Sequence, residues 1–359
     1  MALTANQWFT LKDATAADAL YKPGTVGLVD VIVNVAPELD KIPGRIIPGL
    51  SYEATILKAL GSNLAFRKFN SGVPYSAPSL DLVRFNTFLL DCQFAIDEGL
   101  IRAGESGGTS MAETMAIHAS AGIRQEALSL GRQIYQGSLN DPNGPPGFAD
   151  FLFTQRTQVD SRTGLKIDQA VDAGGTTAGQ CEIVWFVKSG PQGVHWLFGN
   201  GSAVRLGPWV RLPGQVSPDS TAAQARYNTQ WKNNLFGFIG TSMAQVHSIG
   251  AITNVNAVQT GTNNGVPTYQ APLTDALTGI EWGKWPIGMK PDLCFATQKA
   301  IVSLQMQRTV TLFANNPEAM RSTAAMATLA EFPTHLPLCG GIPIIPTDSI
   351  VPGNQYILN

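Results

Sequence analysis

The sequence predicts an α+β protein in which one long helix separates extended N-terminal segments from a strand-rich C-terminal part. Three observations lead to this prediction. Apolar residues repeat at helical spacing between Ser110 and Gly137. Aromatic strand patterns precede that stretch within residues 50–105, and short strand and turn patterns dominate residues 181–340. Strands and helices that are segregated along a chain in this way are typical of α+β folds.

The composition is unusually poor in charge. Charged residues make up 14 % of the 359 residues, against about 25 % in typical soluble proteins. A charge-poor surface favours a protein whose surface is largely covered by partners. The net charge of −2 provides no overall basic field for gripping nucleic acid. The length also exceeds what one core usually supports, so we expect two subdomains or one elaborated domain.

Residues 1–49 are interpreted as an N-terminal arm. Asp13 can cap a short helix, and Leu28–Val35 is an apolar, β-branched run typical of a strand. Nothing in this part forms a core of its own, so we expect it to lie on the rest of the fold or on a neighbour. No apolar run reaches the roughly 18 residues of a transmembrane helix, and the first residues lack a signal-peptide pattern.

Residues 50–105 are interpreted as an extended β-hairpin. Its predicted strands are Asn63–Phe69 and Leu82–Leu90, joined by a turn-rich tip. A lone hairpin is marginal in water, so one that carries several aromatic residues needs an outside surface. Its charged residues either contact a neighbouring subunit or form a solvated edge that discourages unwanted pairing. The candidate intersubunit contact residues are Phe66, Arg67, Lys68, Phe69, Arg84, Phe85 and Phe88.

The long helix is predicted over residues 110–136. Ser110 and Glu113 fit a capping box, and Gly137 stands where a left-handed glycine ends a helix. Such a helix is roughly 40 Å long. Its apolar stripe, which predicts the buried face, consists of Met111, Met115, Ala119, Ile123, Ala127, Leu130 and Ile134.

The part that follows the helix reads as a β-meander with two helices. Asn200-Gly201 is a strong hairpin signal between the second and third strands. The predicted strands are Cys181–Val187, Val194–Phe198, Ser202–Leu212, Phe236–Ile239, Val246–Val255, Ile342–Ile345 and Gln355–Leu358. The predicted helices are Leu273–Gly283 and Thr297–Val310, the second with Thr297 as N-cap.

No motif for catalysis, a cofactor or a metal is present. The four histidines show no metal-ligand spacing, and the four cysteines form no CxxC pair, so reduced thiols are expected. Carboxylates at Asp97-Glu98 and in Asp168–Asp172 could serve glycoside hydrolysis, but such pairs are common. Trp185, Trp196, Trp209 and Trp231 could stack sugars or bases, although strand tryptophans are more often core or interface residues.

Three stretches carry a resemblance to a known family. They are IYQGSLNDPNGPPGFADFL at Ile134–Leu152, DLCFATQKAIVSLQMQR at Asp292–Arg308 and GGIPIIPTDSI at Gly340–Ile350. In the order given, they look like three features of one protein family: the end of its long helix, the strand that leads into a helix in its axial domain, and its C-terminal Gly-x-Pro strand. Together with the order of elements over nearly the whole chain, they resemble the major capsid protein of tailed, double-stranded DNA bacteriophages, the Hong Kong 97 type of fold.

The resemblance implies a domain map and a function. The fold would comprise an N-terminal arm, an extended β-hairpin loop, a peripheral domain with a long spine helix, and an axial domain. The corresponding ranges are 1–49, 50–105, 106–180 with the spine helix at 110–136, 181–340, and C-terminal strands at 341–359. The chain would assemble as hexamers and pentamers into an icosahedral shell around phage DNA, without sequence-specific binding, cofactor or membrane.

The resemblance also implies partners and a location. Family members that assemble with a separate scaffolding protein lack a long scaffold segment, and no charged coiled-coil stretch precedes the arm here. We therefore expect a separate scaffolding protein, a portal at one vertex and a possible decoration protein. The shell would be assembled in the host bacterial cytoplasm and belong to the virion.

Two other functions remain open on sequence grounds. An encapsulin-like compartment would keep the fold and load enzymes, and a co-purifying cargo peptide would favour it. A β-rich carbohydrate-active enzyme would be a soluble monomer with a pocket, which the low charge argues against.

Overall fold

The protein is described by a computed structural model. It covers residues 36–59, 69–72, 79–108, 110–155, 168–201, 203–216, 227–243, 247–263, 266–314, 338–339 and 342–353. The predicted arm helix and the strands at Leu28–Val35 and Gln355–Leu358 lie outside these residues. The helices are α1 (Glu38–Lys41), α2 (Glu98–Ser106), α3 (Met111–Gln136), α4 (Phe148–Gln155), α5 (Asp275–Lys284) and α6 (Gln298–Ala314), with short 3₁₀ turns at Gly137–Leu139 and Ile287–Met289.

The strands fall into two large sheets and one hairpin. They are β1 (Gly44–Ile46), β2 (Ser51–Ala59), β3 (Ser79–Asn86), β4 (Phe88–Asp97), β5 (Ala170–Asp172), β6 (Glu182–Val187), β7 (Val194–Phe198), β8 (Arg205–Leu206), β9 (Val210–Val216), β10 (Tyr227–Met243), β11 (Ile249–Asn263), β12 (Val266–Ala271), β13 (Leu293–Ala296), β14 (Leu338–Cys339) and β15 (Ile342–Pro346).

The first sheet is built around the long strand β10. Among the described residues it has six strands, and β4 pairs antiparallel along one edge of β10. Strands β9, β8 and β7 follow one another along the opposite edge, and β1 pairs parallel with β7. Phe94 and Ile96 of β4 are buried, while Ala95 and Asp97, which alternate with them, are exposed, so one face of this strand is covered.

The second sheet has seven strands in the described chain. Its order is β12-β11-β6-β13-β15-β14, and the short β5 pairs parallel with β11. Strand β6 is buried along its whole length, as expected for a central strand covered on both faces. Residues of α6, including Ala300 and Leu304, share an apolar cluster with Val184 and Phe186 of β6.

Helix α3 joins both sheets through its buried stripe. Ser110 caps it by accepting a hydrogen bond from the Glu113 N–H at 3.2 Å, and Gly137 ends it with a φ of 55°. The predicted stripe is confirmed, because all its members from Met115 to Ile134 are buried. Gly122 leaves room for the Phe94 ring, since a Cβ there would lie 2.3 Å from the ring's Cδ1.

The predicted helices α5 and α6 and the strands β6 and β7 are confirmed, but their pairing differs from the predicted meander. β6 and β7 lie in different sheets, and β7, β8 and β9 each pair with β10 rather than with one another. Asn200 and Gly201 do have the positive φ that the turn signal predicts. Their N–H groups, however, bond to the carbonyls of Gly49 and Ile47.

The described part of the hairpin differs from the predicted one, and the predicted strand Asn63–Phe69 lies outside the described residues except for Phe69. The strands of the hairpin are β2 and β3, and the predicted strand Leu82–Leu90 divides at Thr87 between β3 and β4. The second half of the predicted 50–105 hairpin is therefore sheet strand β4 and helix α2. Likewise, the strands of the predicted unit 181–340 are shared between the two sheets, because β7 to β10 pair with β1 and β4.

We expect Ile123→Asp to prevent folding. Ile123 is 4 % exposed in the middle of the α3 stripe, and an uncompensated buried charge costs about 3–5 kcal/mol. Soluble yield and thermal unfolding measure the effect. The matched control is Ile117→Asp on the same helix, where the side chain is 59 % exposed. Equal stability of the two variants would contradict the assignment of the buried face.

Candidate assembly surface

The hairpin formed by β2 and β3 is the described element that pairs with neither sheet. Its strands run antiparallel from Ser51 opposite Asn86 to Ala59 opposite Ser79. Nine residues of strand span roughly 30 Å. A two-stranded ribbon of this length cannot bury both faces, so its two faces must be considered separately.

The inner face of the hairpin packs on its own subunit. Cross-strand partners share a face, so Tyr52 lies with Phe85 and Ala54 with Val83. Ala54 is buried, and the other three side chains are half-buried. This face therefore fixes the hairpin to the protein from which it extends.

The outer face of the hairpin is exposed. It carries the cross-strand pairs Glu53–Arg84 and Thr55–Leu82, followed by Leu80. Leu80 and Leu82 are each 61 % exposed, whereas the two charged side chains lie nearer the base. The outer face is therefore polar at the base and apolar toward the tip.

The base of the hairpin is held by Tyr52. Arg45 of β1 donates a hydrogen bond to the tyrosine hydroxyl at 3.2 Å, and its guanidinium lies 5.1 Å from the ring centroid. The His195 ring meets Tyr52 edge-on at 5.8 Å. Burial lowers the pKa of His195 to about 4, so the imidazole is neutral at physiological pH. Thr87 closes the base, since its N–H and hydroxyl both bond to the Leu50 carbonyl.

The structure separates the candidate contact residues. Phe69 is fully exposed beyond the ends of the two strands. The neighbouring candidates Phe66, Arg67 and Lys68 lie outside the described residues. Whether this group touches another subunit remains a prediction.

The remaining candidates lie at or below the hairpin base. Arg84 is exposed on the outer face and donates to the Ser51 hydroxyl at 2.9 Å. Phe85 is half-buried on the inner face, and Phe88 belongs to β4, where it pairs with Ile239. Phe85 and Phe88 therefore contribute to the subunit itself. The sequence pattern did not single out Leu80 and Leu82, although their alternation in SLDL is the signal of a strand face.

A second apolar surface lies on the open face of the six-stranded sheet. Leu89 of β4 pairs with Phe238 of β10, and the Phe236 ring meets the Phe238 ring edge-on at 6.0 Å. Leu89, Phe236 and Val210 of β9 are exposed. Leu89 and Phe236 lie close together on this face, whereas Val210 lies opposite Lys232 further along β10, so the first two are the apolar group that favours protein contact.

The carboxylates weighed for catalysis have structural partners. Asp97 caps α2, and Glu98 pairs with Arg102 and Arg211, which lower the pKa of its carboxyl. Asp168 pairs with Lys284. In the described ranges, no group of three metal-ligating side chains is clustered, and no helix is long and apolar enough to cross a membrane.

The tryptophans considered for stacking are mainly part of the protein interior. Trp185 and Trp196 are 1 % exposed. Trp209 and Trp231 are half-buried against a small cluster around Ile96. Buried indole rings cannot stack on a sugar or a base from solvent.

Comparison with known proteins addresses the fold. No protein-family model matches the chain, and no curated protein matches it. The architecture is nevertheless that of the Hong Kong 97 type of phage capsid protein, so the predicted fold class is confirmed. One solved structure that it matches over 100 % of both chains is that of bacteriophage Epsilon15, with 15 % identity and a TM-score of 0.53.

Two further solved structures have TM-scores below 0.4. The capsid of a native GTA particle has 10 % identity and a TM-score of 0.36, covering 58 % of this chain and 86 % of that chain. The procapsid of bacteriophage JBD30 has 9 % identity and a TM-score of 0.35, covering 79 % and 87 %. At these identities the comparisons concern the fold.

We expect Phe85→Ala to loosen the hairpin more than Arg84→Ala. A half-buried phenylalanine contributes about 1–2 kcal/mol, below the value for full burial, whereas an exposed polar contact contributes ~0–1 kcal/mol. Hydrogen-exchange protection of β2 and β3 measures the difference. Added salt should leave the Phe85→Ala defect unchanged. A larger effect of Arg84→Ala would show that the charged edge fixes the hairpin.

Proposed function

We propose that this chain is a major capsid protein that assembles as hexamers and pentamers into an icosahedral shell enclosing bacteriophage double-stranded DNA. The observation that carries the proposal is the hairpin, whose inner face is fixed to its own subunit while Leu80 and Leu82 are exposed on the outer face. The capsid type of fold and its match to the Epsilon15 chain support it.

Burial of the outer face is the physical reason for assembly. Each leucine that is fully buried contributes about 1.5–3 kcal/mol relative to an exposed one. A shell repeats this contact at every subunit, so a modest contribution per hairpin is multiplied. The open face of the six-stranded sheet, with Leu89 and Phe236, offers further apolar area.

The low charge fits the role of a container. With a net charge of −2, the chain would enclose DNA without a strongly basic lining. Affinity for DNA rises steeply with the number of phosphates neutralised, so such a lining would retain DNA that has to leave. The proposed role requires neither an enzyme activity nor a cofactor.

We assign the predicted domains to the two sheets. The peripheral domain comprises α3 and the six-stranded sheet, and the axial domain comprises the seven-stranded sheet with α5 and α6. The arm would extend from α1, and the hairpin would reach an adjacent subunit. Phe66, Arg67, Lys68, Phe69, Arg84, Phe85 and Phe88 remain proposed contact residues, and Leu80 and Leu82 are added to them.

The proposed shell also needs partners. They are a separate scaffolding protein during assembly, a portal at one vertex and, in some shells, a decoration protein. Assembly would take place in the host bacterial cytoplasm, and the product would be the virion. Genome packaging separates this role from that of an enzyme-loaded compartment.

Electron microscopy of the purified chain, alone and with a co-expressed scaffolding protein, tests the proposal. We expect closed icosahedral shells. A homogeneous monomer under both conditions would contradict the proposal, and shells containing a cargo enzyme would support the encapsulin-like alternative.

We expect the double variant Leu80→Asp/Leu82→Asp to fold but not to form closed shells. Both side chains are exposed in the subunit, so its thermal unfolding should change little, whereas two charges on the proposed contact face oppose burial. Sedimentation and microscopy measure assembly. The control is Ile280→Asp on α5, where the isoleucine is 54 % exposed. Normal shells from the double variant would show that this face is not a contact.

We also expect deletion of residues 2–35 to leave a folded chain that fails to close shells. The arm has helix and strand signals but no apolar mass of its own. Circular dichroism reports the fold, and microscopy reports closure. Normal particles from the truncated chain would show that the arm is dispensable.

A further inference from the structure

A buried carboxylate joins three distant segments of the chain. Glu38 of α1 is fully buried. Its Oε2 accepts a hydrogen bond from the Thr347 hydroxyl at 2.9 Å and lies 3.5 Å from the Tyr135 hydroxyl of α3. The base of the arm, the end of the long helix and the segment after β15 therefore meet at one acidic group.

The other carboxylate oxygen is packed tightly. Both Glu38 Oε1 and Ser349 Oγ lie against Gly131 of α3, where a Cβ would be 2.0 Å and 2.2 Å from them. Neither atom has a hydrogen-bond partner of good geometry among the described residues. A proton on Oε1 would give this carboxyl a donor for the serine hydroxyl.

Within the described residues, no cation balances this carboxylate. None of the ion pairs in the described part of the chain includes Glu38. Burial raises the pKa of Glu38, and nearby hydroxyls, chiefly that of Ser349, only partly offset the increase. An ionised carboxylate without a cationic partner is disfavoured in such a place, so burial shifts the equilibrium toward the neutral acid.

The surrounding titratable groups do not supply a positive charge. On α3, burial raises the pKa of Tyr135 well above its ordinary value, so the phenol is neutral. Cys294 of β13 lies behind the tyrosine and also raises its pKa. On the C-terminal segment, Asp348 is exposed.

The charged neighbours of Glu38 on α1 are the next to consider. Lys41 pairs with the neighbouring Asp40 at 3.1 Å, and half of the lysine side chain is exposed. This lysine is therefore engaged at the surface rather than with the buried Glu38.

Two other acidic residues provide a useful contrast. Glu281 accepts a hydrogen bond from the Trp285 indole at 3.1 Å, and burial raises the pKa of its carboxyl to about 8. Glu182 accepts a hydrogen bond from the Thr297 hydroxyl. Glu281 bonds within the end of its own helix, and Glu182 links β6 to the start of α6, whereas Glu38 links the base of the arm to α3 and the 347–349 segment.

We propose that Glu38 is a proton-dependent clamp: its protonated carboxyl holds the base of the N-terminal arm against α3 and the 347–349 segment, and deprotonation releases that contact. The clamp lies within one subunit, so it does not rest on the proposed capsid function.

The sign of the pH dependence follows from the raised pKa. The contribution of Glu38 to stability is complete at acidic pH, below the ordinary carboxyl pKa, and is lost as pH rises through the raised value. Between the ordinary and the raised pKa, the equilibrium constant for opening of the clamp increases by about tenfold per pH unit. The arm base should therefore loosen at alkaline pH.

Hydrogen exchange on the full-length chain tests the clamp. The reporter is the Ile47 N–H, which bonds to the Phe198 carbonyl at 2.8 Å and lies just beyond β1. Protection factors, corrected for intrinsic exchange, are compared between acidic and alkaline pH. We expect protection at Ile47 to fall by at least about tenfold in the unmodified chain and to change much less in Glu38→Gln, whose amide cannot ionise.

Two variants keep the result interpretable. Glu53→Gln, at an exposed carboxylate on β2, should follow the unmodified chain at every pH. Thr347→Val removes the hydroxyl that donates to Glu38. This variant should show lower protection at Ile47 at every pH, and its protection should still depend on pH. The clamp is excluded if Glu38→Gln keeps the same pH dependence as the unmodified chain, or if protection at Ile47 is independent of pH in both.

Discussion

The contact on which the rest of the structure depends is the aromatic cluster at the C-terminal end of α3. Tyr135 stacks on Trp185 of β6 at 6.3 Å and meets Phe148 and Phe295 edge-on at 5.7 Å and 6.1 Å. Each such pair adds about 0.5–1.5 kcal/mol beyond its buried area. Earlier on the same helix, Gly122 receives the Phe94 ring of the other sheet. One helix therefore fixes the position of both sheets, and loss of its apolar face would separate them.

A second constraint comes from the geometry of the hairpin. Alternate side chains of a two-stranded ribbon point to opposite faces, and a single protein body can cover only one of them. Here Tyr52 and Phe85 face the subunit, and Leu80 and Leu82 face outward. An exposed apolar face lowers the solubility of a protein unless another surface covers it. Only 14 % of the residues are charged, so the rest of the surface does little to restore solubility. Geometry and composition thus both favour association.

The local elements could be predicted from sequence, but the pairing of strands could not. Helix α3 has a capped start, a glycine end and a regular stripe, so local signals determine it. Strand β10 was predicted only at Phe236–Ile239, because its first half reads NTQWKNN and lacks alternation. The sheet supplies the missing information, since β4, β7, β8 and β9 all pair with this strand. The outer face of the hairpin was missed because strand register depends on such non-local pairing.

The arm and the hairpin are not independent extensions. Glu38 ties α1 to the end of α3, and four residues after α1 ends, Arg45 lies over the Tyr52 ring that holds the hairpin base. The strand that contains Arg45 pairs with β7, and the turn after β7 bonds back to Ile47 and Gly49. β1 therefore lies between the buried acid and the hairpin base. These contacts place the buried acid and the hairpin base at the two ends of one continuous set of packed and hydrogen-bonded residues.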